Sequence, residues 1–483
     1  MPLVDIRRTA PLIGGKWVAE TSLGKSRHLN PATNAPQAEI SVAGAREVDA
    51  AAEAAVKGQA AWQAVPADRR RDILGRWADL IEANAPEFIG LAALESGLPT
   101  MLGGGIALGL RWYRYYASSA DKITGEVVEP TGAAGLNYTL HEPFGVVGLI
   151  IPWNSPMVAS AMKVAPALAA GNAVILKPPT LTPFVALRLA ELALEAGLPE
   201  GTFNVVPGDA EAGDALVANR HVAKISFTGG GQVAKIVMRN CADHLKPMAL
   251  ELGGKSANII FEDADLDAAA QMAGIQGCAV LAGQGCVLPT RAYVHDTIYD
   301  AFVERVKAVV ESFAVGDPLD PKTFVGPVIT QAATRRILGF IDNAKAQNMG
   351  RVVTGGQKLG GALEAGNFIA PTVFADVPHD SSLAREEIFG PVLAISRFTD
   401  EAEALQKAND SVYGLGAYVH TQNLARAHRM ARGLKVGAVS VNSGVPMAPN
   451  TPFGGYKQSG FGREGGRAGL EEFLQLKNVY IPF

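Results

Sequence analysis

A cysteine set among glycines is the residue of this sequence best suited to covalent chemistry. Cys286 closes the run Gly283-Gln284-Gly285-Cys286. Because glycines let a backbone approach a ligand closely, the amides of this run could hold a developing oxyanion beside the sulfur. A free cysteine is more often a small core residue, and that interpretation is preferred for Cys241 and Cys278. Cys286 is therefore a candidate nucleophile, with a structural role as the alternative.

Three polar residues that follow apolar strands could assist such a nucleophile or bind its ligands. Glu251 lies in Leu250-Glu251-Leu252-Gly253-Gly254, and partial burial there would raise its pKa toward the range of a general base. The alternative is an exposed strand-end acid. Asn154 follows Pro152-Trp153, and its side-chain amide could donate to an oxyanion. Lys177 could hold a ribose hydroxyl or a phosphate, although a surface lysine is a common alternative.

Short apolar runs and helix-like stretches alternate around these residues. The predicted strands are Val146–Ile151, Ala173–Leu176, Phe203–Val206 and Ala223–Phe227, and the predicted helices between them are Pro156–Ala170, Phe184–Ala196 and Ala210–Ala218. Strand, helix and strand at this spacing predict a parallel sheet with helices on its faces. Ligands of such sheets bind beyond the carboxyl ends of the strands, where Asn154 and Lys177 fall.

A second series of elements begins after Gly254. Ala257–Phe261 is predicted to be a strand, and Leu266–Leu281 and Thr297–Phe313 are predicted to be helices. Thr124–Leu140 is rich in Gly, Thr and Val and predicts an extended arm that leaves the helical region. The tail, Gly465–Phe483, predicts a helix followed by a strand that ends with Val479-Tyr480-Ile481.

Size and composition restrict the class of protein. The 483 residues suffice for two or three domains. A net charge of −4 gives no electrostatic case for binding nucleic acid or an anionic membrane. The run Arg111–Tyr116 mixes bases with aromatics, as single-strand binders do, but an amphipathic helix with solvated arginines is the favoured interpretation. The longest apolar runs, such as Val146–Ile151, are too short to span a bilayer.

The number and spacing of the cysteines and histidines indicate the redox state of the compartment and whether the protein binds a metal. Three cysteines without a disulfide framework predict a reducing compartment. The segment Met1–Lys16 has no apolar core of signal-peptide length, so the cytoplasm is the expected location. The eight histidines are scattered without metal-ligand spacing, and no metal site is expected.

Taken together, these segments resemble the aldehyde dehydrogenase superfamily over essentially the whole chain. The motifs that carry the resemblance, in the family's order, are Pro152-Trp153-Asn154, Lys177-Pro178 through Thr182-Pro183, Phe227-Thr228-Gly229, Glu251-Leu252-Gly253-Gly254-Lys255, Gly283-Gln284-Gly285-Cys286, Glu387-Ile388-Phe389-Gly390-Pro391 and Pro452-Phe453-Gly454-Gly455. One such motif could arise by chance, whereas seven in order at compatible spacings form a specific signal.

The resemblance implies oxidation of an aldehyde to a carboxylic acid with reduction of NAD or NADP. It implies that Cys286 attacks the aldehyde carbon while the Asn154 side chain and the Cys286 amide hold the oxyanion. Glu251 then activates the water that hydrolyses the resulting thioester, and Lys163 completes the implied catalytic set. Assigning attack to Cys286 and water activation to Glu251 is chemically reasonable, because a thioester is a good acyl donor to water.

The resemblance also implies where the dinucleotide binds. Lys177 is expected at the adenosine ribose and Glu387 at the nicotinamide ribose, with Phe389 beside it. The full implied cofactor set is Ile150, Pro152, Trp153, Lys177, Thr180, Gly208, Phe227, Gly229, Gly230, Leu252, Glu387 and Phe389.

Two positions depart from the family pattern on the cofactor side. Many NAD-preferring members have a glutamate where this chain has Thr180, so NADP is not excluded by charge at that position. Gly230 replaces a common serine and Ala234 a later glycine, which puts one pyrophosphate contact in doubt. NAD is slightly favoured, and NADP remains open.

The expected substrate is a small-molecule aldehyde. Matching positions imply that Ser155, Ala159, Met162, Met447 and Phe453 line its tunnel. Small and flexible residues at these positions suggest a wide apolar tunnel, so a medium-sized aromatic or aliphatic aldehyde is expected rather than acetaldehyde.

Two other functions remain as alternatives. One is an acylating relative that passes the thioester to coenzyme A. Such relatives generally lack a glutamate at the position of Glu251. The other is a catalytically silent binding or structural protein on the same fold. The presence of Glu251 argues for hydrolysis, and the retention of Cys286, Glu251 and Asn154 together argues against a silent protein.

The fold class implied is α/β in three parts. A Rossmann-type dinucleotide-binding domain is expected over residues 1–120 and 142–252, and a catalytic domain with the nucleophilic cysteine over 253–445. A small β arm for oligomerisation is expected from residues 121–141 and 465–483, so a homodimer or homotetramer is expected.

Overall fold

The computed structural model describes residues 5–445 and 447–483. In chain order, the strands of this part are β1 Leu12–Ile13, β2 Lys16–Trp17, β3 Lys25–Leu29, β4 Pro36–Ser41, β5 Val127–Val128, β6 Gly135–Pro143, β7 Val146–Ile150, β8 Ala173–Lys177, β9 Phe203–Val205, β10 Val222–Thr228, β11 Met248–Glu251, β12 Ala257–Ile260, β13 Arg291–His295, β14 Arg351–Thr354, β15 Thr372–Ala375, β16 Val392–Phe398, β17 Tyr413–Gly414, β18 Gly416–His420, β19 Ala438–Val441, β20 Tyr456–Lys457, β21 Gly460–Phe461 and β22 Leu474–Pro482. The α-helices are α1 Ala45–Ala64, α2 Ala67–Ala83, α3 Ala85–Ser96, α4 Ile106–Ala117, α5 Pro156–Ala169, α6 Phe184–Ala196, α7 Ala210–Ala218, α8 Gly231–Asp243, α9 Leu266–Gly274, α10 Tyr299–Glu311, α11 Gln331–Ala346, α12 Ser382–Arg385, α13 Glu401–Asn409, α14 Leu424–Gly433 and α15 Gly466–Glu471.

The first sheet has the order β2-β1-β9-β8-β7-β10-β11-β21. Its five central strands, from β9 to β11, are parallel, and the strands at both edges pair antiparallel. β7 and β8 are completely buried, as their continuous apolar sequences predict. Strand order reverses beside β7, because β8 and β9 lie on one side of it and β10 and β11 on the other. Such a reversal opens a crevice at the carboxyl ends of the strands.

The second sheet has the order β14-β15-β16-β13-β12-β18-β19 and is parallel except for the edge pair β14-β15. The chain passes from the first sheet to the second between Glu251 and Ala257. The C-terminal segment later returns to the first sheet, where β21 pairs with β11. Two sheets with helices on their faces confirm the expected α/β class. The domain limits predicted above stay a prediction.

A separate three-stranded sheet has the order β22-β6-β5. β22 pairs antiparallel with β6 along its whole length, from Leu474 opposite Pro143 to Pro482 opposite Gly135. The arm segment and the tail, about 330 residues apart in sequence, therefore form one sheet, and most of its residues are accessible. An assembly role for this sheet stays a prediction.

The strands and helices predicted for the first sheet agree with the structure to within about one residue at each end. One prediction in the second series was wrong. Leu266–Leu281 is not a single helix, because α9 ends at Gly274 and a wider π-type turn covers Ile275–Ala279. A Cβ on Gly274 would lie 2.8 Å from a Val309 methyl, so the close packing of α9 on α10 depends on a residue that also weakens a helix.

The aromatic run Arg111–Tyr116 lies in α4, as the amphipathic interpretation predicts. Trp112, Tyr113 and Tyr116 are buried, whereas Arg111 and Arg114 are exposed. Within the described ranges, the helices are too short or too polar to cross a membrane.

Candidate active site

Cys286 follows a tightly coiled segment. Leu281, Ala282 and Gly283 have positive φ angles of 53°, 50° and 70°, and this left-handed run turns the chain between the end of the π-type turn and the cysteine. A Cβ on Gly283 would lie 2.1 Å from the Gly390 carbonyl oxygen, so only glycine fits there. Cys286 is half-buried and packs at the border of the largest apolar cluster. Cys286 is thus neither fully exposed nor fully buried.

The surroundings of the thiol are apolar and negatively charged. Desolvation, followed by the carboxylates of Glu387 and Glu251, raises the pKa of the Cys286 thiol to about 12. Gly254 approaches the Cys286 carbonyl so closely that a Cβ would lie 2.3 Å from the oxygen. The glycine pair after β11 therefore brings the nucleophile beside the end of the first sheet.

Asn154 reaches the nucleophile segment from the other side. Its Nδ2 donates to the Gln284 carbonyl at 2.8 Å. The Gln284 side chain is fixed in turn, because its Oε1 accepts from the Ile329 amide at 3.0 Å and its Nε2 donates to the Leu281 carbonyl at 2.9 Å. The amide of Asn154 and the backbone before Cys286 are therefore held together.

Glu251 ends β11 and is 4% exposed. Neither of its carboxylate oxygens has a hydrogen-bond partner among the described residues. Burial, reinforced by the neighbouring Glu464 carboxylate, raises the Glu251 pKa well above its usual range, and the charges of Lys163 and Arg463 oppose the rise. A buried carboxyl group without a partner, beside a thiol, is an expensive arrangement that is common at functional sites.

Glu464 was missed by sequence reasoning. It lies 301 residues from Lys163, yet the two form a buried ion pair with Nζ to Oε1 at 2.6 Å. The Lys163 ammonium also donates to the Ser226 hydroxyl at 2.7 Å, so this lysine on α5 joins β10 to the C-terminal segment. The only sequence signal for Glu464 was its position between glycines in Gly462-Arg463-Glu464-Gly465.

The predicted adenosine end of the cofactor site lies at the carboxyl edge of the first sheet. Lys177 ends β8, is buried, and donates from Nζ to the Gly208 carbonyl at 2.6 Å. Burial lowers the Lys177 pKa to about 8, while the Asp209 carboxylate opposes that change. Thr180 donates from Oγ1 to both carboxylate oxygens of Asp209 at 3.0 Å. Asp209 was not among the predicted residues.

The predicted nicotinamide end lies nearer Cys286. Glu387 accepts a hydrogen bond from the Gly254 amide at 2.9 Å, and burial raises its pKa. Phe389 has a positive φ of 51° and stacks edge to face on Trp153 with ring centroids 5.4 Å apart. A bulky residue in the left-handed region stores strain, which is typical of positions fixed for function.

The remaining predicted cofactor residues lie around the crevice. Gly229 and Gly230 connect β10 to α8, and a Cβ on Gly230 or Gly231 would meet open space. The first amides of this 13-residue helix are therefore a candidate site for a phosphate. Ile150, Pro152, Phe227 and Leu252 belong to the strand ends and adjoining loops of β7, β10 and β11.

The predicted tunnel residues share the neighbourhood of the sulfur. Met162 and Phe453 are buried in the apolar cluster that Cys286 borders, and Ala159 and Met447 pack against it half-buried. Ser155 precedes α5 and is half-buried. The structure therefore brings most of this set together on the apolar side of the site.

The other cysteines differ from Cys286. Cys241 and Cys278 are fully buried, and desolvation raises the pKa of each thiol. Among residues 5–445 and 447–483, there is no group of three or more His, Cys, Asp or Glu side chains arranged to hold a metal ion.

Comparisons with known proteins show which family this chain is similar to. The model of the aldehyde dehydrogenase family matches residues 17–479. An aldehyde dehydrogenase of Enchytraeus buchholzi is 41% identical over 489 residues, covering 99% of this chain and 97% of that protein. The structure of an aldehyde dehydrogenase from Bacillus cereus in complex with NAD+ superposes with a TM-score of 0.95, at 38% identity, over 99% of this chain and 97% of that chain. An NADP-dependent enzyme of E. coli gives the same TM-score at 37% identity, over 99% of both chains.

Proposed function

The chain belongs to the aldehyde dehydrogenase family, and from that premise we propose that it oxidises an aldehyde to a carboxylic acid through a covalent adduct on Cys286, with water as the final acyl acceptor. The observation that carries the proposal is one juxtaposition. The Cys286 thiol lies close enough to the buried Glu251 carboxyl for that charge to raise its pKa, and the Asn154 amide is hydrogen bonded two residues before the sulfur.

The residues at the carboxyl edge of the first sheet fit a nicotinamide dinucleotide. Lys177 offers an amine for a ribose, Glu387 a carboxylate for the second ribose, and the open glycines before α8 leave amides for the pyrophosphate. When bound, the dinucleotide supplies the acceptor for the hydride that leaves the substrate carbon.

The nucleophilic step uses the sulfur and two donors. The Cys286 thiol releases its proton to solvent, the resulting thiolate forms a bond to the aldehyde carbon, and the carbonyl electron pair moves to the oxygen. One Asn154 amide hydrogen is engaged by the Gln284 carbonyl, which leaves the other for this oxyanion together with the Cys286 amide. Loss of hydride from the carbon restores the carbonyl and leaves a thioester.

Hydrolysis of the thioester requires a base. Glu251 accepts a proton from water as the water oxygen attacks the thioester carbon, and the thiolate leaves. Burial raises the pKa of Glu251, which makes its carboxylate a stronger base than a solvated glutamate. The net change converts aldehyde, water and oxidised dinucleotide to carboxylic acid, reduced dinucleotide and a proton.

Lys163 and Glu464 are positioning residues in this proposal. Glu464 raises the Glu251 pKa and Lys163 lowers it, so the ion pair between them sets the charge next to the base. Neither residue is required to touch the substrate.

We infer an apolar substrate of medium size. Ala159, Met162 and Phe453 offer the sulfur an apolar approach with one small and one flexible side chain. Benzaldehyde and hexanal are therefore expected to give a higher kcat/KM than acetaldehyde.

The test is steady-state kinetics on a panel of aldehydes with NAD and with NADP, together with acid product analysis. Cys286→Ala is expected to abolish turnover, whereas Cys241→Ala, which removes a fully buried thiol outside the site, is expected to retain it. Turnover by Cys286→Ala comparable to wild type, or a stoichiometric need for coenzyme A, would refute the proposed mechanism. Acetaldehyde as the best substrate would refute only the inferred substrate class.

A further inference from the structure

The Asp209 carboxylate lies beside Thr180, in the loop that follows Lys177. Thr180 stands at the position where many NAD-preferring members of the family have a glutamate. Asp209 follows β9 and precedes α7, and both its oxygens accept from the Thr180 hydroxyl at 3.0 Å. Asp209 is exposed and Thr180 is half-buried, so the carboxylate faces solvent at the rim of the crevice. Asp209 therefore supplies a negative charge beside Thr180, which itself carries none.

The position of the Asp209 carboxylate relative to the parallel sheet indicates which part of a dinucleotide it would contact. β7, α5 and β8 form the first βαβ unit of the parallel sheet, and β8 ends at Lys177. In doubly wound dinucleotide-binding sheets, an acid at the end of this second strand binds the adenosine ribose 2′-hydroxyl and disfavours a 2′-phosphate. Thr180 fastens Asp209 to the loop after β8, so the acid lies beside that strand end although it follows another strand.

We propose that Asp209 is the specificity-determining residue that favours NAD over NADP. This inference depends on the proposed function, because it assumes that the adenosine ribose binds near Lys177.

The charge of Lys177 is poorly suited to offset a 2′-phosphate. Its ammonium already donates to the Gly208 carbonyl at 2.6 Å, and burial lowers its pKa to about 8. A 2′-phosphate would add between one and two negative charges beside the Asp209 carboxylate, and like charges at such distances are strongly repulsive. The 2′-hydroxyl of NAD can instead donate a hydrogen bond to the same oxygens.

The experiment measures binding of ligands that cannot react. Isothermal titration calorimetry with ADP-ribose and with 2′-phospho-ADP-ribose gives the ratio of their affinities without any aldehyde. The wild-type protein is expected to favour ADP-ribose by about tenfold or more. Asp209→Asn keeps an oxygen that can accept from Thr180 and is expected to improve 2′-phospho-ADP-ribose binding about tenfold, with ADP-ribose binding changed less than threefold.

Asp214→Asn is the matched control, because Asp214 is an exposed acid on α7 that accepts from Asn240 at 3.2 Å. Its affinity ratio is expected to equal that of wild type. An unchanged ratio in Asp209→Asn, an equal change in Asp214→Asn, or a wild-type preference for the 2′-phosphorylated ligand would overturn the inference alone. Failure of the wild-type protein to bind either ligand would overturn the proposed function as well.

Discussion

Asn154 holds one amide hydrogen against the backbone that leads to Cys286, so its own position and that of the nucleophile are linked. Replacing the side chain by alanine removes a donor to the oxyanion without removing charge. Because one oxyanion donor is typically worth a factor of about 10²–10³ in rate, Asn154→Ala is expected to lower kcat by that order.

The check on Asn154→Ala is a kcat measured beside the affinity for ADP-ribose, which should stay within about threefold of wild type because the Asn154 side chain shares no hydrogen-bond partner with Lys177 or Thr180. A kcat within threefold of wild type would exclude the assigned role.

The reactivity of the Cys286 thiol toward an alkylating reagent should depend strongly on pH. Because burial and nearby carboxylates, chiefly Glu387 and Glu251, raise the Cys286 pKa to about 12, the thiolate fraction at neutral pH is very small. The rate of alkylation by iodoacetamide, without dinucleotide, is expected to rise about tenfold per pH unit from pH 7 to 9 with no plateau. Glu387→Gln removes a nearby negative charge, lowers the thiol pKa and accelerates alkylation at a given pH.

Mass spectrometry of the modified Cys286 peptide gives these rates. Glu386→Gln changes the exposed neighbour of Glu387, whose charge is screened by solvent, and is expected to alkylate like wild type. A plateau below pH 8, or equal rates in wild type and Glu387→Gln, would contradict the electrostatic account.

At the scale of elements, the segment between α9 and Cys286 depends on one glycine. Gly283→Ala would place a methyl group 2.1 Å from the Gly390 carbonyl oxygen in a backbone with φ of 70°. The variant is expected to lose about 2 kcal/mol or more of stability, together with most of its activity, because the chain that carries the sulfur must shift.

Gly339→Ala is the control for that substitution. Gly339 lies exposed within α11, and a Cβ there would meet nothing within 4 Å, so alanine is expected to stabilise the protein by about 0.5–1 kcal/mol. Thermal unfolding of both variants separates the two outcomes. Full activity and an unchanged melting temperature in Gly283→Ala would show that the segment tolerates the shift.

The strands and the residues at their ends could be predicted from the sequence, whereas contacts between distant segments could not. Strands such as Val146–Ile150 are specified by local apolar runs, and the residues at their ends are specified with them. The partner of Lys163 could not be found in this way, because Glu464 reaches it only after both sheets and the C-terminal segment have packed. Asp209 could not be predicted from the sequence for the same reason, since its proposed role depends on a contact with Thr180 between two different loops.

For the whole molecule, the three-stranded sheet shows an apolar face that a single chain leaves uncovered. Leu136 and Ile481 are directly opposite each other and are 39% and 47% exposed, and Val127, on the same face, is 79% exposed. Since apolar side chains grouped on one sheet face indicate an interaction site, we expect the chain to self-associate through it.

Ile481→Lys is expected to shift the protein toward the monomer, because a charge in an apolar interface is poorly tolerated. Asn478→Lys, on the opposite face of β22, should leave the assembly unchanged. Light scattering coupled to size-exclusion chromatography measures both. A wild-type monomer at micromolar concentration would refute the expectation directly.

The pairing of β21 with β11 has a consequence for biosynthesis. The strand that carries Glu251 is completed by Gly460 opposite it, and the Ser459 hydroxyl donates to the Gly253 carbonyl at 2.7 Å. A nascent polypeptide that has emerged as far as Cys286 therefore contains the nucleophile but lacks the edge strand beside the base. Polypeptides truncated before Ser459 are therefore expected to contain the thiol but to lack aldehyde-oxidising activity.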